Sequence, residues 1–210
     1  MRITEIYQSI QGESSYAGLP CVFVRTTGCD LRCSWCDSEF AFYGGEKFSI
    51  SEIIERVKQF PARLVELTGG EPLLQKDIPK LALELLELGY TVMIETGGHR
   101  DISVLHSSVI KIMDIKCPAS GESDKNLWSN LNYLTKQDEI KFVIANRRDY
   151  EWSKEIIYKH NLEGFQLLFS SVYDQLEPKQ LVDWILADGL AVRFQLQIHK
   201  FIWPPQERGV

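Results

Sequence analysis

Short apolar or β-branched runs recur along the chain at 21–26, 64–67, 91–95, 109–115, 139–145, 165–169 and 190–198, with stretches of helical period between most of them. No other feature limits the fold as much. The clearest helical stretch is 49–60, where Ser49 and Glu52 make a capping-box pattern and Ile50, Ile53, Ile54 and Val57 share one face. The next, 77–88, places Ile78, Leu81, Leu85 and Leu88 on one stripe, with Gly89 as its stop. Further helices are predicted over 149–160 and 178–187, the second opening on Pro178. Residues 117–135 are the least regular, and no linker, tandem repeat or low-complexity segment divides the chain, so residues 1–210 read as a single domain. Strands alternating with helices imply a mainly parallel sheet with right-handed crossovers. The expected fold is α/β: a partial (β/α) barrel of about six to seven mainly parallel strands, open on one side.

In such sheets ligands bind at the C-terminal ends of the strands. The polar and glycine clusters fall there. A cysteine loop follows the run at 21–26, Thr68-Gly69-Gly70-Glu71-Pro72 follows 64–67, and Glu95-Thr96-Gly97-Gly98 ends 91–95. Asp114 and Lys116 end the run at 109–115, Ser170-Ser171 follow 165–169, and Gln195, Gln197 and His199 close the last run.

Composition excludes several classes. With 44% apolar and 25% charged residues the chain is globular rather than disordered. A net charge of −6 argues against a broad nucleic-acid footprint. No apolar run approaches the roughly 20 residues that span a bilayer, and the N-terminus lacks a signal-peptide core. The expected compartment is the cytoplasm, where thiols stay reduced. Five cysteines, an odd number, disfavour a disulfide framework. Cys21 reads as a small core residue, while Cys117 adjoins a site loop.

The remaining thiols stand in Cys29-Asp30-Leu31-Arg32-Cys33-Ser34-Trp35-Cys36, a C-x3-C-x2-C loop. Iron–sulfur clusters are usually held by four thiolates, so three leave one iron open, and open metal positions are reactive. A zinc knuckle is the alternative, although it wants a fourth Cys or His at close spacing, and none follows nearby. The stretch resembles the cluster motif of the radical S-adenosylmethionine (SAM) superfamily. That resemblance implies a [4Fe-4S] cluster on Cys29, Cys33 and Cys36 whose open iron chelates SAM, which is split by one electron to a 5′-deoxyadenosyl radical. Thr68-Gly69-Gly70-Glu71-Pro72 resembles the superfamily's GGEP segment, with glycines that let backbone approach a ligand and carbonyls and a carboxylate suited to SAM's ammonium group. A simple turn is the other reading.

Gln8-Ser9-Ile10-Gln11-Gly12-Glu13-Ser14, Arg25, Cys36-Asp37-Ser38, the TGGEP segment and Gln197-Ile198-His199-Lys200 together resemble the 7-carboxy-7-deazaguanine synthase family, from about residue 7 to 203. The family reaction converts 6-carboxy-5,6,7,8-tetrahydropterin to 7-carboxy-7-deazaguanine and ammonia, with SAM regenerated. The resemblance implies pterin binding by Ile10, Gln11, Gly12, Glu13, Arg25, Thr68, Gln197 and His199. It implies SAM binding by Gly70, Glu71, Glu95, Asp114, Lys116, Ser170 and Val172. A guanidinium fork at Arg25 suits a carboxylate, but alternation alone leaves its direction open. Ser38 stands where the family often has Thr and would give Mg²⁺ one oxygen; Asp37-Ser38 also suits a helix cap. Gln197 and His199 would share one strand face. Some members place the C-terminal carboxylate on the substrate; here the tail Phe201–Val210 looks longer, and that contact is not carried over. An electron donor such as flavodoxin and a homodimer are also implied. A glycyl-radical-enzyme activase and a zinc or iron–sulfur binding module are the competing function classes.

Overall fold

The computed structural model describes residues 1–204 and 207–210; Pro205 and Gln206 of the tail lie outside the described residues. Seven strands form the parallel part of the sheet: β2 (Pro20–Thr26), β4 (Leu64–Gly69), β5 (Thr91–Thr96), β6 (Ile110–Ile115), β7 (Glu139–Ile144), β8 (Gln166–Ser171) and β9 (Arg193–Phe194). They lie side by side in chain order, and the edges do not meet, which leaves an open barrel.

These seven match the expected six to seven parallel strands, and two antiparallel strands bring the sheet to nine. β1 (Arg2–Ile10) runs antiparallel to β2, and β3 (Glu46–Lys47) pairs with the outer edge of β1. β1 escapes a hydrophobic-run search because two of its side chains, Glu5 and Tyr7, face a polar cavity. The last run is also corrected. Only Arg193–Phe194 pair as strand; Gln197 lies in a loop and His199 opens a helical turn, α5 (His199–Ile202). The strand-face relation expected for Gln197 and His199 is therefore absent.

Four longer helices are α1 (Ile50–Val57), α2 (Ile78–Glu87), α3 (Arg147–Lys159) and α4 (Pro178–Asp188). At the start of α1 the Ser49 hydroxyl accepts from the Glu52 amide while the Glu52 carboxylate accepts from the Ser49 amide, a complete capping box. Ser49→Ala is expected to cost about 1 kcal/mol, read as a lower midpoint in thermal unfolding. The irregular 117–135 segment consists of three short 3₁₀ turns.

Alternation sorts the strand side chains into two layers. Val22, Val24, Val65, Leu67, Val92, Ile94, Met113 and Ile115 face the helices and form the main core. The opposite face points into the barrel, where Cys21, Phe23, Leu64, Met93, Ile110, Ile112 and Leu168 fill the lower part. One or two positions further along the same faces, apolar residues give way to Arg25, Glu66, Thr68, Glu95, Asp114 and Lys141. β2, β4, β5 and β6 thus carry an apolar plug followed by a polar floor, whereas β7 is polar inward at both Glu139 and Lys141. Arg25 shares the inward face of Phe23, which settles its direction. Cys21 belongs to the plug and Cys117 to the main core; burial pushes both thiols up.

Candidate active site

A cavity of about 740 Å³ opens at the C-terminal ends of the parallel strands. Cys29, Cys33, Cys36 and Ser38 line it, together with Gly70, Glu71, Glu95, Asp114, Lys116 and Val172. Ile10, Gln11, Gly12, Glu13, Arg25, Thr68, Gln197 and His199 do so as well. Ser170 does not: it is buried in β8, and Ser171 and Val172 form the wall there.

The cysteine loop is braced by the loops after three other strands. After β4, the Glu71 amide donates to the Gly28 carbonyl at 2.8 Å. After β5, His99 meets Asp30 at 2.7 Å and Arg100 pairs with the same carboxylate. After β6, the Ser34 amide donates to Ser120 at 3.1 Å and the Arg32 amide to Glu122 at 2.5 Å. Gly70 makes this packing possible. A Cβ there would sit 2.3 Å from the Gly28 carbonyl oxygen and 2.7 Å from Cys29 Cβ.

Glu71 itself has its carboxylate engaged by protein donors. It is fully buried, and its carboxylate accepts from the Leu73 amide at 3.0 Å, Thr96 Oγ1 at 2.9 Å and the Gly97 amide at 2.9 Å. It ties the glycine loop to β5, so the carbonyls of Gly69 and Gly70 are left to meet a ligand.

The three thiols are free and half-buried, and they line one cavity. Burial pushes Cys33 up to about 11; metal coordination draws such protons off. Among the described residues, no three His, Cys, Asp or Glu side chains are grouped to hold a single metal ion. Three thiols spaced along a loop fit a multi-iron cluster. Asp114 Oδ1 is buried with no hydrogen-bond partner, while Oδ2 holds Lys116 at 2.9 Å. That orphaned acceptor and the neighbouring ammonium suit a polar ligand such as SAM.

Across the cavity, Lys141 bridges Glu13, at 2.6 Å, and Glu95. Burial alone would lower this lysine, but the two carboxylates outweigh it and hold it well above the ordinary range. Burial raises the Glu13 carboxyl, and Lys141 and Gln197 bring it below its usual value. Gln197 donates to Glu13 Oε1 at 2.8 Å. The Gln11 amide is engaged at both ends: its oxygen accepts from the Glu13 amide at 2.8 Å, and its nitrogen donates to Glu66. Gln11 therefore shapes the loop rather than presenting a free amide. Arg25 donates to Glu5 at 2.7 Å and to the Tyr7 hydroxyl at 3.1 Å, and Nη1 has no protein partner among the described residues. His199 packs so closely on Gly12 that a Cβ there would lie 2.0 Å from Nδ1; burial lowers this imidazole, with Glu13 partly opposing.

Several lining residues carried no motif: Glu5, Tyr7, Glu66, Lys141 and the tail at Glu207–Val210. The tail folds back over the cavity mouth, with Arg208 stacked 4.0 Å above Phe40. The signal for Lys141 was a lone lysine inside Glu139-Ile140-Lys141-Phe142-Val143-Ile144. Glu66 was similarly a lone acid inside Leu64-Val65-Glu66-Leu67.

Residues 23–115 match the radical SAM superfamily. Over its full length the chain is 48% identical to a 7-carboxy-7-deazaguanine synthase of Koribacter versatilis, all of which it covers. It is 44% identical to one of Chlorobaculum tepidum, again over the whole chain and 97% of the relative. The crystal structure of QueE from Escherichia coli superposes with a TM-score of 0.74 at 22% identity, covering 92% of this chain and 93% of that one, a likeness of fold. A cysteine loop braced over a polar barrel floor, and relatives this similar from end to end, place the chain in the 7-carboxy-7-deazaguanine synthase family of the radical SAM superfamily.

Proposed function

We propose that the chain converts 6-carboxy-5,6,7,8-tetrahydropterin to 7-carboxy-7-deazaguanine and ammonia, as a carbon–nitrogen lyase. The observation that carries this reading is that three cluster-type thiols and the Glu13, Arg25 and His199 side chains open onto one cavity. Its volume of about 740 Å³ lies in the range of small-molecule sites. An activase working on a large protein would also need room for a cluster and SAM, but would have no use for Glu13, Arg25 and His199 gathered beside them.

Cys29, Cys33 and Cys36 would hold a [4Fe-4S] cluster, and the Gly69–Gly70 carbonyls, Asp114 and Lys116 would hold SAM. When bound, the pair supplies one-electron reduction and hydrogen-atom abstraction; the protein supplies position and electrostatics. Arg25 turns its unpaired Nη1 to the substrate carboxylate, with Glu5 and Tyr7 fixing the plane of the guanidinium. Glu13, kept anionic by Lys141, accepts from the amino edge of the heterocycle. His199, kept neutral by burial, offers one donor and one acceptor. Thr68 adds a hydroxyl on the same floor.

Mg²⁺ belongs to the same reading with a thin protein share. The Ser38 hydroxyl lines the cavity, and Asp37 beside it is held by Lys200 at 2.9 Å. One hydroxyl suits an ion whose other ligands are substrate oxygens and water. Ser38→Ala is expected to raise the Mg²⁺ concentration for half-maximal turnover several-fold and leave SAM affinity unchanged; equal Mg²⁺ dependence in both proteins would remove Ser38 as a ligand. An external electron donor such as flavodoxin and a homodimer complete the proposal.

The test is anaerobic reconstitution followed by incubation with dithionite, SAM and the carboxytetrahydropterin. The expected result is about four irons and four sulfides per chain, with deazaguanine and ammonia formed in equal amounts. Zinc in place of iron, or cleaved SAM without deazaguanine, would overturn it.

A further inference from the structure

The polar floor of the barrel holds more carboxyl groups than cations can serve. Glu13 and Glu95 share Lys141, Glu5 takes Arg25, and Asp114 takes Lys116. Glu66 is left over. It is 3% exposed, lines the cavity, and among the described residues forms no ion pair. Among the described residues its side chain has one hydrogen-bond partner, the Gln11 amide nitrogen, a neutral donor, on Oε2. Oε1 has none among the described residues, and the side chain lines the cavity. Glu66 stands two residues before Thr68 on the same face of β4, directly beneath the position read as substrate-binding.

We propose that Glu66 is the general acid of this pocket, handing its carboxyl proton to the nitrogen that leaves the substrate as ammonia. The inference rests on the deazaguanine synthase reading. The groups facing Glu66 are Tyr7 from β1, Glu13 from the following loop, Cys21 and Arg25 from β2, Glu95 from β5 and Lys141 from β7. Burial raises the Glu66 carboxyl well above its ordinary value, and the neighbouring Glu95 and Glu13 charges add to that; Lys141 and Arg25 oppose without forming a direct bond. Crowded carboxyls cannot all ionise. Glu13 is pulled the other way by its ammonium partner, and two acids pushed apart in this manner mark an acid and a base.

The chemistry balances without an oxidant. The C–N bond to the departing amino group breaks, and its electron pair stays on nitrogen. The Glu66 O–H bond breaks, its proton joins that nitrogen, and its electrons stay on Oε1. A ring C–H proton is then lost, its electron pair becoming a double bond of the new five-membered ring. That proton restores the acid, so the net change is loss of ammonia.

The experiment compares reconstituted wild type with Glu66→Gln, which keeps size and the link to Gln11 but has no carboxyl proton. Binding of SAM and of the carboxytetrahydropterin is measured by calorimetry, turnover by deazaguanine and ammonia. The expected result is affinity within about threefold and turnover lower by about 10²-fold or more, the usual contribution of a general acid. Wild-type kcat is expected to fall as the pH rises and the raised Glu66 carboxyl ionises, and this limb is expected to be absent from the residual activity of Glu66→Gln. Wild-type turnover in the variant, or turnover and substrate affinity lost together, overturns the assignment. Should the variant misfold, Glu66→Asp, which keeps a carboxyl, decides by infrared spectroscopy at neutral pH: a wild-type protonated carboxyl band that shifts in Glu66→Asp supports Glu66 over the neighbouring Glu95, and no such band, or one unchanged by the substitution, overturns it. A wild type that makes no deazaguanine would instead sink the functional reading itself.

Discussion

Lys141→Met is expected to destabilise the protein by about 3–5 kcal/mol at neutral pH, the cost of stripping the cation from a buried ion pair. Lys141 is 4% exposed and bridges Glu13 and Glu95 on the barrel floor. Methionine fills the space but leaves two carboxylates facing each other with Glu66 nearby. The pH dependence gives the sign. Without the ammonium, burial and mutual repulsion raise the folded-state pKa of these carboxyls above the unfolded value of about 4.3. A carboxyl raised in this way contributes its full stability below the unfolded value and loses it as the pH climbs through the folded one. The deficit is therefore expected to shrink on acidification toward about pH 5. Urea unfolding of both proteins at the two pH values measures it. A neutral-pH loss below about 1 kcal/mol, the scale of an exposed pair, would mean that the floor is not charged as described. Activity is expected to fall as well, because Glu13 loses the partner that keeps it anionic.

Gly70→Ala is expected to abolish most turnover with a smaller effect on folding. The added Cβ meets backbone, 2.3 Å from the Gly28 carbonyl oxygen, so no flexible side chain can swing away. The two loops must part, and the Glu71–Gly28 hydrogen bond of 2.8 Å goes with them. Overpacking of this sort costs about 1–3 kcal/mol. A displacement near 1 Å at a reacting centre costs about 10²-fold in rate. Iron content, SAM affinity and turnover separate the effects: iron near wild type with weakened SAM binding is the predicted pattern. Unchanged SAM affinity and turnover would show that the loops are not packed as closely as drawn.

These two positions also show what could be read in advance. Gly70 belongs to a motif, and its loop was placed correctly at the end of β4. Lys141 belongs to none. A lysine inside an apolar strand breaks the hydrophobic pattern, but the break does not say what answers it. Its partners, Glu13 and Glu95, are 128 and 46 residues away in sequence. Glu71 shows the limit in the opposite direction: its motif suggested a ligand contact, and the partners its carboxylate also has, Thr96 at the end of β5 and the Gly97 amide after it, were not legible in that motif.

The order of the parallel strands and helices and the gathering of polar groups on one rim were fixed locally, because hydrophobic period, caps and breakers act within a few residues; the inward phase of the strands was not. What only the folded chain decided was pairing: which carboxylates meet Lys141, that Glu66 has no ion-pair partner among the described residues, and that β1 and the tail return to wall the cavity. Those outcomes depend on distances between strands far apart in sequence and on burial, and on a barrel's inner face water no longer screens the difference.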